Sequence, residues 1–323
     1  MLFTKTPTDR VSQLGEIALI SKIGKWLGEV SPDSPHGMGD DCAVLPASNR
    51  KQLLTTDVLT YGQHFDDSVA PQDAGAKLIK RNLSDIAAMG GTPESAVLAL
   101  LCGPDVCLTW LEQFFEGIRQ SCETYGVQIV GGDVSSLPPG QFCAVLTLTG
   151  TVDTSKLRNT AKIGDRLYVT GSLGGSILKK HYAFTPRIEE GQWLANKTEC
   201  SAMMDITDGL AKDLQALLPD TASAALMLDH IPISETAISY AKTTGRSALE
   251  HAFCDGEDYE LLFALSATAD PEAFEAQWRA HFPELKLSRI GQICERSPKG
   301  PYLDATTNEA LPWTHGFEHL KSE

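Results

Sequence analysis

Acidic residues recur in this chain beside glycines and at the ends of apolar runs. The first half carries Gly37-Met38-Gly39-Asp40-Asp41-Cys42, Thr55-Thr56-Asp57, Asn82-Leu83-Ser84-Asp85 and Gly131-Gly132-Asp133. A carboxylate in such a place is costly to bury unless it is paired or bound to a metal. Carboxylates that converge make a hard, oxygen-lined site of the kind magnesium prefers. The second half adds Asp205-Ile206-Thr207-Asp208, where the two acids bracket one turn and can point into a single cleft. It also adds Asp255-Gly256-Glu257-Asp258-Tyr259-Glu260, which on its own reads as a solvated acidic loop. Aspartates, Thr and Ser hydroxyls, glycine turns and Arg158 together fit metal-assisted phosphoryl transfer from a nucleotide. That chemistry needs charge neutralisation and in-line positioning more than covalent catalysis. If the acceptor is itself a phosphate, its attacking oxygen is already deprotonated, which agrees with the lack of an obvious general base.

Other nucleotide and hydrolase signatures are missing. The chain has no G-x-x-x-x-G-K-[ST], no G-x-G-x-x-G after a strand, no H-R-D or D-F-G set, no G-x-S-x-G and no H-E-x-x-H. The glycine-rich run Gly171 to Ser176 precedes a helical pattern; such a turn can hold phosphate on its N–H groups or can simply be tight. His64 taken alone reads as structural. A net charge of −15 argues against nucleic-acid binding by bulk charge. No apolar run reaches the roughly 18 to 20 residues needed to span a bilayer. The N-terminus has no apolar core of a secretory signal. Eight cysteines without a C-x-x-C pair fit thiols in a reducing cytoplasm better than a disulfide frame or a zinc site.

The elements that must carry these residues follow from periodicity. Leu19, Ile20, Ile23, Trp26, Leu27 and Val30 place an amphipathic helix over 16–30. Short strands are expected at 43–45 and at 53–57, the latter ending at Asp57. A helix over 71–89 puts Leu78, Asn82, Asp85 and Met89 on one stripe. Strands are expected at 96–101, at 127–130 and at 142–149, where Phe142, Ala144, Leu146 and Leu148 share a face. Thr109 and Glu112 form a capping-box pattern for a helix over 110–125. A domain boundary is expected at 150–165, giving domains 1–150 and 151–323. Beyond it come strands at 166–170, 261–265 and 287–293 and helices at 209–218 and 271–281. Thr207 or Asp208 serves as an N-cap.

The ordered set Gly39-Asp40-Asp41-Cys42-Ala43, Thr55-Thr56-Asp57 with His64-Phe65, Asn82 to Gly90, Gly131-Gly132-Asp133, Asp205 to Leu210 and Gly256 to Leu261 strongly resembles the thiamine-monophosphate kinase family. The likeness runs from about Gly15 to Phe317. Single motifs are shared with the wider superfamily of aminoimidazole ribonucleotide synthetase and selenophosphate synthetase. The resemblance implies an α/β (α+β) fold of two α/β domains, with an N-terminal mixed sheet that pairs with its copy in a homodimer. It implies transfer of the γ-phosphate of ATP to thiamine monophosphate in the cytoplasm, with several Mg2+ ions. Carried over by position, Asp41, Thr55, Thr56, Asp57, Asp85, Asp133, Asp205 and Asp208 would hold magnesium. Tyr125, Gly132, Asp133, Arg158 and Thr207 would contact ATP, and His64, Glu257 and Phe317 the thiamine end. The segment from Gly175 to Ile188 is short for the family. A superfamily ligase with another acceptor, or a nucleotide-binding regulator without turnover, are the competing readings.

Overall fold

The computed structural model describes residues 1–39 and 42–318, so Asp40 and Asp41 lie outside the described residues. By internal contacts the chain forms two compact units, Met1–Ile86 with Gly91–Asp153, and Ala87–Gly90 with Thr154 onward. Each is a layered α/β structure, as the sequence pattern implies.

The first unit contains α1 (Glu16–Leu27), β1 (Lys51–Thr60), α2 (Pro71–Ala88) up to Ile86, β2 (Thr92–Cys102), α3 (Leu108–Tyr125), β3 (Gln128–Ser136) and β4 (Phe142–Val152). Its sheet runs β1-β4-β2-β3, antiparallel except for the β2–β3 pair. The side-chain period of two separates the faces. Phe142, Ala144, Leu146 and Leu148 of β4 are buried on one face, as their alternation predicts. On the opposite face Leu54 is 73 %, Val58 39 % and Val97 43 % exposed. Helices α2 and α3 cross closely: a Cβ at Gly75 would lie 1.9 Å from the Phe114 carbonyl oxygen, and one at Gly117 the same distance from that of Gln72.

Four local expectations are corrected. Residues 43–45 form no strand, because Val44 N–H donates to Pro35 O at 2.6 Å and its carbonyl meets His36 Nδ1, so no ladder is available. Strand β1 does not end at Asp57 but continues to Thr60, paired throughout with β4. Likewise β3 passes through Gly131-Gly132-Asp133 to Ser136. The N-cap of α3 is Cys107 without a side-chain cap bond. Thr109 instead gives its N–H and hydroxyl to Asp9, at 3.1 Å each.

The second unit contains β5 (Arg166–Thr170), α4 (Lys180–Ala183), α5 (Ile188–Ala195), β6 (Cys200–Asp205), α6 (Leu210–Leu217), β7 (Ala222–Leu226), α7 (Glu235–Thr244), α8 (Ala248–Cys254), β8 (Leu261–Leu265), α9 (Pro271–His281), β9 (Leu287–Glu295) and β10 (Tyr302–Asp304). Its sheet runs β10-β7-β9-β5-β8-β6. Strand β8 is buried at every position, as a run of Leu-Leu-Phe-Ala-Leu requires. One core packs around Leu210, Leu214, Phe253 and Ile290, and another around Tyr168, Phe263 and Trp278. Among the described residues no helix is long and apolar enough to cross a membrane.

Candidate phosphoryl-transfer residues and their setting

In the first unit the sheet sorts the expected oxygen donors onto two faces. Thr55, Asp57 and Leu59 alternate onto the face that meets α2. There the Thr55 hydroxyl donates to Asp85 Oδ2. Arg81, one helical turn before Asp85, donates from Nη2 to Asp57 Oδ1 at 3.1 Å and from Nη1 to Val58 O at 2.6 Å. Asn82 lies between them, fully buried; its amide donates to Leu78 O at 3.0 Å while Oδ1 has no hydrogen-bond partner. The stripe expected on this helix thus holds one buried polar group with an unsatisfied acceptor, which is costly unless a ligand completes it.

Thr56 points to the other face. Its hydroxyl donates to Leu146 O at 3.1 Å and accepts from Thr147 at 3.0 Å. Register carries the next row of that face from Val58 through Val145 and Ala99 to Asp133. Thr56 and Asp133 are therefore separated from Thr55 and Asp57 by the sheet itself. A cleft of about 660 Å³ opens over this face, lined among others by Gly37, Gly39, Val97, Gly132, Asp133 and Thr147. Gly132 is required there, since a Cβ would lie 1.9 Å from the Leu98 carbonyl oxygen. Tyr125 is the last residue of α3, before Gly126 at φ +70° turns the chain into β3. His64 sits in the turn after β1. Its Nδ1 accepts from Thr60 N–H at 3.0 Å, and the buried Lys77 donates to its carbonyl at 2.8 Å.

In the second unit, β6 ends at Asp205 as expected, and the turn 206–209 follows. Neither Thr207 nor Asp208 caps α6 with its side chain; the cap position is Gly209, at φ +99°. The bonding is reversed. Asp213 Oδ2, inside the helix, accepts from Thr207 N–H and Asp208 N–H at 2.9 Å each. Burial pushes the Asp213 carboxyl up to about 7. The same turn holds the other expected residues: Thr207 O accepts from Glu257 N–H at 2.8 Å, and Asp208 O accepts from Phe317 N–H at 2.9 Å. Arg158 lies in a short helical turn, 158–160, whose Thr160 hydroxyl donates to Ser201 O on β6 at 2.6 Å.

The acidic run before β8 is not a solvated loop. Glu257 and Tyr259 adopt left-handed backbone angles, φ +54° and +51°. Tyr259 donates its hydroxyl to Glu257 Oε1 at 3.1 Å, and His181 Nδ1 stands 3.7 Å from the other oxygen. Phe184 stacks on Tyr259 with centroids 3.8 Å apart. Asp258 is fully buried and accepts from Gly174 N–H at 2.9 Å; burial pushes its carboxyl up to about 7, against Lys180 4.0 Å away. Glu260, also buried, accepts from Arg187 and Lys180. Burial raises its pKa, but those two cations outweigh that and hold it below the ordinary glutamate value. The glycine-rich turn is thereby explained. Gly174 N–H binds Asp258 and Gly175 N–H binds Asp255, so protein carboxylates take the N–H groups a phosphate would need. The cationic residues Lys180, Arg187, Lys212 and Arg81 carry no motif. Only the cluster of basic residues in the short segment after Gly175 hinted at two of them.

The sequence pattern described as "AIR synthase related protein, N-terminal domain" matches residues 39–152. A thiamine-monophosphate kinase of Rhodopirellula baltica is 35 % identical over 302 residues, 90 % of this chain and 93 % of its own. The solved thiamine monophosphate kinase of Aquifex aeolicus is 28 % identical with a TM-score of 0.70, over 94 % of this chain and 99 % of that one. A structure described as "AaThiL complexed with AMPPCP and TMP" gives 29 % identity and a TM-score of 0.70, over 96 % and 99 %. A hydrogenase maturation protein HypE reaches a TM-score of 0.72 at 19 % identity, over 92 % of this chain and 98 % of its own. That likeness shows the fold alone, so sequence rather than shape separates the two groups. On the strength of a full-length relative above 30 % identity, this chain belongs to the thiamine-monophosphate kinase family.

Proposed function

We propose that the protein transfers the γ-phosphate of ATP to the phosphate of thiamine monophosphate, giving thiamine diphosphate and ADP. The observation that carries this reading is the full-length likeness to kinases of that name, one of which binds AMPPCP and TMP. The competing superfamily readings rest on a fold that HypE shares equally well.

Magnesium is part of the proposal, and the donor set fits it. Thr55, Asp57 and Asp85 offer hard oxygens, and on the same helix, three residues before Asp85, the buried Asn82 Oδ1 lacks a hydrogen-bond partner. Among the described residues no three His, Cys, Asp or Glu side chains stand close enough to hold an ion alone. Magnesium commonly takes one or two carboxylates and draws its other ligands from water and substrate phosphates. In this reading Asp41, Thr55, Thr56, Asp57, Asp85 and Asp133 of the first unit, and Asp205 and Asp208 of the second, are its ligands. The division of Thr56 and Asp133 from Thr55 and Asp57 favours more than one ion. Bound magnesium would neutralise phosphate charge and help hold the phosphates in line.

The chain's own residues do the positioning. Arg81 orients Asp57, the Thr55 hydroxyl orients Asp85, and Asp213 shapes the turn that bears Thr207 and Asp208. Tyr125, Gly132, Asp133, Arg158 and Thr207 are assigned to ATP. His64, Glu257 and Phe317 are assigned to the thiamine end. No general base is needed, because the acceptor oxygen carries its own charge at neutral pH.

The half-exposed apolar face of the first sheet supports a homodimer in which a second copy covers it. Sedimentation of Leu54→Glu against wild type tests this; an unchanged state argues against that face as the interface. Eight free thiols support a reducing, cytoplasmic setting. The reaction itself is tested by a phosphorus NMR time course with ATP, magnesium and thiamine monophosphate. Thiamine diphosphate growing in step with ADP is expected. ATP that binds but stays intact would overturn the reading.

A further inference from the structure

The turn 206–209 is the hub of the second unit, and its one long cationic contact is not accounted for by any motif. Lys212 lies four residues after Asp208, one turn into α6. Its ammonium donates to Asp208 Oδ2 at 2.7 Å and to Phe317 O at 2.8 Å. Phe317 N–H in turn donates to Asp208 O at 2.9 Å. Gly316 packs so tightly on the turn that a Cβ there would lie 2.0 Å from Asp208 O. Upstream, Trp313 leans on Phe253 at 5.2 Å, and Leu311 N–H donates to Tyr302 O at 3.0 Å. The strap 311–317 is thus anchored at both ends, and its far end is held by the turn backbone and by Lys212. Phe317 is 45 % exposed, although its backbone is held on both sides.

We propose that Lys212 is a positioning residue for the acceptor. Its ammonium ties the Phe317 strap to the turn that bears Thr207 and Asp208, and so sets affinity for thiamine monophosphate. This rests on the assignment of Phe317 to the thiamine end. A carbonyl hydrogen bond from an ammonium already oriented by a carboxylate is charge-assisted and stronger than a neutral one. An Asp208–Lys212 pair on a partly exposed surface contributes little by itself. The effect of Lys212 is therefore expected on the strap rather than on global stability.

The test compares Lys212→Met, which keeps the aliphatic stem, with Lys212→Arg, which keeps the charge. In the Met variant, hydrogen exchange at the peptide covering 312–318 should speed up about tenfold or more, as loss of one charge-assisted bond implies. KM for thiamine monophosphate should rise by about the same factor, and by more than KM for ATP. The Arg variant should restore both. Unchanged exchange in the Met variant would overturn the tether, whatever the substrate. Faster exchange with an unchanged KM would overturn the acceptor role of the strap and with it the proposal. Wild-type enzyme that makes no thiamine diphosphate would instead sink the kinase reading. The exchange arm would still decide whether Lys212 holds the strap.

Discussion

Glu260 offers a stringent test of how the second unit is held. Its side chain is 2 % exposed, yet its two oxygens accept from Arg187 Nε at 2.8 Å, Arg187 Nη2 at 2.9 Å, Lys180 Nζ at 2.8 Å and Thr170 Oγ1 at 2.8 Å. Glu260→Gln keeps the shape but turns one acceptor into an NH2 group facing cations. Of the four bonds to the carboxylate, the three from Arg187 and Lys180 lose the opposite charge or are lost. At about 1 kcal/mol for each such change, the loss is about 3 kcal/mol. This falls at the lower end of what breaking a buried pair costs. For a unit of this size the corresponding fall in Tm is about 6–12 °C. Urea unfolding at pH 7 measures it directly. The pH dependence gives an independent check on the cause. The folded carboxylate has a depressed pKa, so its contribution is present above the unfolded value and lost as pH falls through the folded one. The gap between wild type and variant should therefore be full at pH 7, begin to narrow as pH falls below the ordinary glutamate value of about 4.3, and close only below the lower folded value. A loss under about 1 kcal/mol, or a gap that persists in acid, would refute the ion-cluster account.

Other outcomes follow from the same geometry. Asp85→Asn should cut kcat by about a thousandfold or more, in line with removing a group that stabilises transition-state charge, while circular dichroism stays unchanged. Wild-type turnover in that variant would remove Asp85 from the metal role. Glu257→Gln should raise KM for thiamine monophosphate more than it changes ATP binding by calorimetry; equal losses would contradict the assignment. Asp258 has a folded pKa raised to about 7, so its contribution is full below the unfolded value and is lost as pH rises through about 7. Asp258→Asn should therefore gain stability relative to wild type by about 2 kcal/mol between pH 5 and pH 8, and a flat difference would show that the buried carboxyl does not titrate there. Gly171→Ala should destabilise the second unit by about 2 kcal/mol or more, because φ is +61° and the new Cβ would lie 2.1 Å from Glu260 Oε1. Differential scanning calorimetry within 1 °C of wild type would be inconsistent with that contact.

Much of this protein is written locally. Long periodic stretches placed helices over 16–30, 71–89 and 271–281, which form as Glu16–Leu27, Pro71–Ala88 and Pro271–His281, and gave the alternation of β4, because amphipathic spacing reports burial without knowledge of partners. The ordered acidic motifs carried the family, and with it the phosphoryl-transfer reading. Local signals failed where a distant group took over a local task. The capping box at Thr109 gave way to Asp9, 100 residues away. The glycine-rich turn lost its N–H groups to Asp255 and Asp258.

What only the tertiary structure decided is which acids act together. In a strand, neighbours point to opposite faces, so Thr55 and Asp57 meet α2 while Thr56 lies on the other face, where Asp133 lines the cleft, although residues 55–57 are consecutive. The burial of Glu260 likewise depends on Arg187, 73 residues away in sequence, and Lys180, 80 away. No window of sequence contains such pairs. A buried charge is tolerated only where folding brings its partners to it, so the partners of each acid were set by packing rather than by the motif that announced it.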